Sequence, residues 1–342
     1  MTDWKVPFCE PSVERHANVV AEQVRSGWVG PGPRVEELEA RLVELTGSPR
    51  VVCTSSGTAA LWAVARHLLP RRRERERRTV LVPGYGVSAT GNAWRAAGWF
   101  LNYGDVDPRT GCLRPPEDLT RYDAVCYVNF SGRTDQVVVG LRETCDAANV
   151  PLVEDAACGL GHRWDGRHAG TIGWFGALSF SVPKLVTGGQ GGAVFCASEH
   201  GYDAAAIRAL ISNDRPGALN LRMTDLQAAL ILAQLDELDQ LVDRKKDIHR
   251  QILSTATSGH ILEAPSGFPL HNVLLAEPHL VDETLTLFHD RGIEARRQYE
   301  AFAELSGCQT WADQAIYLPF GNALTDEQVA LVCEALRSLN GG

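Results

Sequence analysis

Lys184 is one of only four lysines in this chain, with Lys5, Lys245 and Lys246, although lysine and arginine together number 33. It closes the segment Leu178-Ser-Phe-Ser-Val-Pro-Lys184 and stands just before a glycine-dense turn, Gly188-Gly-Gln-Gly-Gly192. A lysine amine can lose its proton and form a Schiff base, which a permanently charged guanidinium cannot. Scarcity of lysine alone reflects composition, and most lysines are solvated surface groups, so the neighbouring segments decide. Upstream, Pro151-Leu-Val-Glu-Asp155-Ala-Ala-Cys158 places an acid at the end of a short apolar run. The run reads as a buried strand, and ligands of open α/β sheets bind at the carboxyl ends of strands. An Asp there can hold a pyridine nitrogen protonated, the electron-sink condition of pyridoxal phosphate chemistry, or can cap the turn that follows. Earlier still, Cys53-Thr-Ser-Ser-Gly57-Thr58 runs into Leu61, Val64, Ala65 and Leu68 at helical spacing. Gly57 and Thr58 then lie at a helix N-terminus, where free N–H groups and the helix dipole favour a phosphate, or where Ser and Thr simply cap. Phosphate cup, ring-nitrogen partner and Schiff-base amine follow one another in that order.

With these three elements in place, the chain resembles the DegT/StrS family of pyridoxal-phosphate-dependent sugar aminotransferases over nearly its full length, from about Pro7 to about Leu339. Ser26-Gly-Trp-Val-Gly-Pro resembles the family's entry segment, Ser55-Ser-Gly-Thr-Ala-Ala-Leu61 its phosphate-binding turn, and Val82-Pro-Gly-Tyr-Gly-Val87-Ser-Ala-Thr90 its next block. Glu154-Asp-Ala-Ala157, Ser179-Phe-Ser-Val-Pro-Lys184, Asn220-Leu-Arg-Met, Gly292-Ile-Glu-Ala-Arg and Tyr317-Leu-Pro-Phe320 match later signatures. The resemblance implies a fold-type-I architecture: a mostly parallel seven-stranded sheet in a large domain, residues 1–235, and a smaller α+β domain, residues 236–342. It implies Lys184 as the Schiff-base lysine, Asp155 as the partner of the pyridine nitrogen, and Gly57, Thr58 and Ser179 as phosphate contacts. Asn220 matches an asparagine that reaches the phosphate from the neighbouring subunit, which implies a homodimer with shared sites.

Departures from the family pattern fall at the same site. Val87 stands where a cofactor-stacking aromatic is usual, and Cys158 where Gln or Glu is usual near the cofactor's phenolic oxygen. A thiol is only a weak hydrogen-bond donor. Asn129 replaces a common His, and Tyr85, two places before Val87, is the nearest ring able to substitute for the lost aromatic. With the lysine intact, these changes describe a divergent member rather than an inactive one.

Composition agrees. A length of 342 residues suggests about two domains. A net charge of −9 argues against a general nucleic-acid surface. The nine cysteines are odd in number and lack a Cys-x-x-Cys, the ten histidines lack ligand spacing, and neither a disulfide framework nor a metal site is expected. No secretory segment or membrane span is apparent, so a cytoplasmic location is expected. Strands are expected at 50–53, 79–82, 124–129, 151–154 and 193–197, with helices at 36–45, 59–69 and 141–148. A long helix is expected from Thr224 to Thr255. His162 and His168 flank a hairpin and are read as structural, and the charged run Arg71 to Arg78 as a solvated loop.

The expected reaction moves an amino group from glutamate or glutamine to a keto sugar nucleotide or a keto cyclitol. The alternatives are another pyridoxal phosphate reaction, such as elimination, or a non-catalytic cofactor-binding regulator. A trimmed small domain is expected to alter the acceptor pocket.

Overall fold

The computed structural model describes residues 4–9, 13–69, 78–182, 184–196, 204–256 and 260–339. Of the charged run at 71–78 only Arg78 is among them, and Ala197 is not. The first two thirds contain β1 (Arg50–Thr54), β2 (Thr79–Pro83), β3 (Tyr85–Gly86), β4 (Phe100–Gly104), β5 (Ala124–Val128), β6 (Leu152–Asp155), β7 (Arg163–Trp164), β8 (Arg167–His168), β9 (Phe175–Ser179) and β10 (Gly192–Cys196). They are followed by β11 (His260–Ile261), β12 (Val273–Leu275), β13 (Glu300–Ala301) and β14 (Ala315–Tyr317). The helices are α1 (Ala17–Arg25), α2 (Pro33–Thr46), α3 (Gly57–Leu68), α4 (Ser88–Ala96), α5 (Gln136–Ala147), α6 (Ala204–Ile211), α7 (Asp225–Leu235), α8 (Leu238–Thr255), α9 (Val281–Asp290), α10 (Ser306–Gln314) and α11 (Asp326–Ser338).

Seven strands form one sheet in the order β1-β10-β9-β6-β5-β2-β4. Only β10 runs against its neighbours; β9, β6, β5, β2 and β4 are parallel. Side chains alternate across a strand, and here the alternation feeds two cores. Val51, Cys53, Leu81, Val125, Tyr127, Leu152 and Leu178 pack with α2, α5 and α7 residues on one face. Val52, Val80, Val82, Ala124, Cys126, Val153 and Ala177 pack with α3, α4 and α6 residues on the other. A sheet covered on both faces buries its strands completely, as β5, β6, β9 and β10 show with near-continuous burial. A third core joins α8, α9 and α11 to the small β11-β12-β14 sheet through Ile248, Ile252, Leu274, Phe288, Ile316 and Val332.

The expected helix from Thr224 to Thr255 is two helices. Glu237, which precedes α8, has φ −107° and ψ 11°, outside the helical range. The packing changes further along: Ala228, Ile231 and Leu235 of α7 and Leu238 and Leu241 of α8 enter the core of the main sheet, while Ile248 and Ile252 of α8 enter the third core. Gln234 also fixes the end of α7, since its side chain bonds both N–H and C=O of Thr187. Strands β4 and β9 of the sheet were not among the clearest strands in the sequence. β4 is a sheet-edge strand whose Phe100 is exposed, so its apolar pattern is weak. Among the described residues no helix is long and apolar enough to cross a membrane.

Candidate active site

The carboxyl ends of β5, β6 and β9 and the N-termini of α3 and α4 surround a cleft of about 820 Å³, counting the part open to solvent. Gly57, Thr58, Val87, Asp155, Cys158, Ser179 and Lys184 all line it. Segments far apart in sequence therefore meet where an open α/β sheet places ligands.

The α3 end of the cleft is built for close approach of backbone. Ser56 is the N-cap, its hydroxyl accepting the N–H of Ala59 at 3.1 Å. The N–H groups of Gly57 and Thr58, the first two helical residues, have no partner among the described residues. Such groups, with the positive end of the helix dipole, suit an anion. A Cβ on Gly57 would sit 2.8 Å from the Ser179 Cβ, so only glycine fits between α3 and the end of β9. A Cβ on Gly192 would sit 2.4 Å from the Ser56 carbonyl carbon, which explains why the glycine-dense turn enters β10 at this point.

Asp155 is buried at the end of β6. One carboxylate oxygen accepts the Thr90 hydroxyl at 2.5 Å and the other the Ala157 N–H at 3.1 Å. Burial holds its carboxyl above the usual range, partly offset by Thr90, Ala157 and the positive charge of Lys184. The local capping bond to Ala157 exists, but Asp155 also faces the cleft. Its neighbour Glu154 points elsewhere and accepts the N–H groups of Gly170, Ile172 and Gly173 at 3.0, 2.7 and 2.7 Å.

Lys184 follows a pinned loop. Its N–H donates to Ser181 O, while Phe180 exchanges bonds with Gly191 and Gly188, and Asn322 holds Leu185 O. Its side-chain amine lies 3.2 Å from Cys158 Sγ. Thus the departure at Cys158 touches the lysine directly.

One expectation changes. Tyr85 does not take the place of the missing aromatic: its ring packs against Phe130 and Trp311, and its hydroxyl lies 3.1 Å from that of Tyr317, away from the cleft. The antiparallel pair β3–β13 instead brings Tyr299 beside Val87 on the cleft wall. Asn220 is exposed and outside its own chain's cleft, its amide oxygen accepting from Arg222 at 3.2 Å. Nor does it cap α7; Thr224 does, in a reciprocal capping box with Gln227. His162 is buried on Phe268 outside the cleft, and burial pushes its imidazole down to about 3.

Thr90, Ser181, His271 and Tyr299 also line the cleft and were not singled out from the sequence. Thr90 lay within a recognised block, and its place in the first turn of α4 was the available signal. His271 carried none, because the chain returns to the cleft there from the C-terminal third.

The model of the DegT/DnrJ/EryC1/StrS aminotransferase family matches residues 12–337. The chain belongs to that family. It is an aminotransferase whose cofactor is pyridoxal 5′-phosphate. It is similar to EpsN of Bacillus subtilis, 31% identical over 261 residues, which are 68% of this chain and 64% of EpsN. A dTDP-4-dehydro-2,3,6-trideoxy-D-glucose 4-aminotransferase of Saccharopolyspora spinosa is 26% identical, with 93% of this chain and 92% of the relative covered. Among solved structures, the aminotransferase TlmJ of Streptoalloteichus hindustanus superposes with a TM-score of 0.88 at 26% identity, covering 98% of this chain and 99% of TlmJ.

Proposed function

We propose that this aminotransferase moves an amino group from glutamate or glutamine to the keto carbon of a nucleotide-linked sugar or a keto cyclitol, as a cytoplasmic homodimer. The observation that carries the reading is the meeting of Lys184, buried Asp155 and the unpaired N–H groups of α3 in one cleft. The S. spinosa relative supports the acceptor class, since its name specifies a 4-dehydro sugar on dTDP.

The residues fit the cofactor. Gly57, Thr58 and Ser179 would hold its phosphate, Asp155 its ring nitrogen and Lys184 its aldehyde carbon. When bound, pyridoxal 5′-phosphate supplies a carbonyl group and a ring that accepts electron density from the carbon bearing the amino group. Asp155 stays desolvated, so its interaction with a cationic partner is strong. Thr90 orients that carboxylate through the 2.5 Å bond. Lys184, on its pinned loop, would hold the cofactor and could move a proton at the substrate carbon as general acid and base. Cys158 gives the amine a resting contact within the cleft. Val87 would pack against the occupant without the aromatic stacking the family usually has, a difference of roughly 0.5–1.5 kcal/mol. Asn220 would reach the phosphate of the partner's site.

Keto sugar nucleotides and keto cyclitols, each offered with glutamate and with glutamine, test the proposal when products are read by mass. An aminated sugar or cyclitol is expected. Conversion of the amino donor without any aminated acceptor would refute the acceptor class.

A further inference from the structure

We infer that His271 is a substrate-contacting residue that recognises a hydroxyl group of the keto acceptor. The inference rests on the aminotransferase reading and extends it to one residue and one functional group.

His271 belongs to the wall that contains Lys184, Asp155 and Tyr299, yet it comes from the segment leading into β12. Its position is fixed by Ser131, which has a left-handed backbone at φ 52°. Ser131 O accepts the Leu270 N–H at 2.7 Å, and Ser131 Oγ accepts the His271 N–H at 2.7 Å. A non-glycine residue in that conformation is strained, and such strain gathers at functional sites. The same hydroxyl lies 3.3 Å from His271 Nδ1. One edge of the ring is therefore engaged, and the collar of Tyr299, Tyr317 and Phe320, with ring centroids at 6.5, 5.9 and 4.5 Å, restricts its rotation.

The other edge is unanswered. Nε2 has no hydrogen-bond partner among the described residues and is shielded from water. Buried polar atoms are nearly always paired; His271 lines the cleft, and a small shift of the ring toward that cleft would let an occupant supply the partner. Depending on the tautomer set at Nδ1, Nε2 donates or accepts. A hydroxyl matches either case, because it does both, whereas a carboxylate can only accept. Burial, with Lys184, Lys245 and Arg296 nearby, keeps the imidazole neutral, which removes any charge attraction for the donor's carboxylates. A sugar hydroxyl beside the keto carbon has the right chemistry.

Two variants separate the two ring edges. His271→Asn keeps a group near Ser131 and loses the Nε2 position; His271→Gln places an amide near Nε2. The half-reactions are followed separately by visible absorbance, first with glutamate and then with a dTDP-linked 4-keto sugar that carries a 3-hydroxyl. For His271→Asn we expect glutamate conversion within about twofold of wild type and an acceptor KM raised roughly ten- to hundredfold. His271→Gln should recover most of that loss. Calorimetric binding of the same keto sugar to cofactor-free protein should weaken in parallel, and thermal melting should stay close to wild type. Equal loss in both half-reactions, or no change in acceptor KM, overturns the assignment. Wild-type protein that converts neither substrate overturns the underlying aminotransferase reading instead.

Discussion

The amine of Lys184 lies 3.2 Å from the sulfur of Cys158, across the cleft between the loop after β9 and the end of β6. The contact joins the residue that chemistry demands to a residue where the chain departs from its family. A thiol is a poor partner, and a single neutral hydrogen bond contributes about 0.5–1.5 kcal/mol. Cys158→Ala should therefore lower kcat by about tenfold or less, while Lys184→Ala should abolish turnover without changing the melting temperature by more than a few degrees. Borohydride reduction should fix the cofactor on the peptide that contains Lys184. Complete loss of activity in Cys158→Ala would give the sulfur a larger role than a resting contact.

Asp155 and Thr90 make a graded pair. Asp155→Asn preserves shape but removes the charge that holds a ring nitrogen protonated, so a loss of about a thousandfold or more in kcat is expected, as for other acid-to-amide changes. Thr90→Val removes only one bond to the carboxylate, roughly 1.5–3 kcal/mol, or about ten- to hundredfold. Steady-state rates at saturating substrate test the order. A Thr90→Val enzyme as damaged as Asp155→Asn would mean that Thr90 does more than orient the carboxylate.

Much of this site was legible because local patterns and chemistry coincide. Asp155 ends an apolar strand, and Gly57 and Thr58 open a helix, so residue type and element boundary both mark the cleft. Val87 and Cys158 were legible as departures because the surrounding blocks are intact. Tyr299 and His271 were not, because they enter the cleft only through β3–β13 pairing and the contact with Ser131, long-range relations with no sequence period. The single-helix reading of Thr224 to Thr255 failed at one point: each half is helical, and the break falls at Glu237, whose backbone leaves the helical range.

Gly57→Ala should damage stability and cofactor binding together. The added methyl meets the Ser179 Cβ at 2.8 Å, and overpacking of this kind costs about 1–3 kcal/mol. The clash is specific, so Gly57→Ala with Ser179→Gly should regain stability beyond the sum of the two single changes. Chemical denaturation of all four proteins measures the coupling. Strict additivity would place the strain elsewhere.

Lys245 predicts a pH dependence. Its amine is buried, donating to Leu270 O at 3.2 Å and to Phe320 O, and desolvation pulls it down to about 7. The unfolded chain keeps the ordinary lysine value of 10.5. Between these values the unfolded state binds more protons, so folding stability rises with pH across that window. Lys245→Met should flatten this rise. Denaturation midpoints of both proteins from pH 7 to 10 provide the test, and parallel curves would show that the amine stays charged in the fold.

Asn220 decides whether sites are shared. Its exposed amide caps nothing, since Thr224 caps α7, and it lies outside the cleft of its own chain. Asn220→Asp therefore spares the helix but would set a carboxylate beside a phosphate, weakening cofactor retention if the residue serves a partner's site. A hybrid of this chain with a Lys184→Ala chain is the sharper measurement. In a two-fold dimer with shared sites, one site of the hybrid carries both lesions and the other carries neither. Mixing the two homodimers, at a cofactor concentration too low to load the Asn220→Asp sites and under conditions of confirmed subunit exchange, should restore activity, approaching a quarter of the wild-type value for random exchange of equal amounts. If Asn220 instead serves its own chain, each hybrid site keeps one lesion and no activity returns.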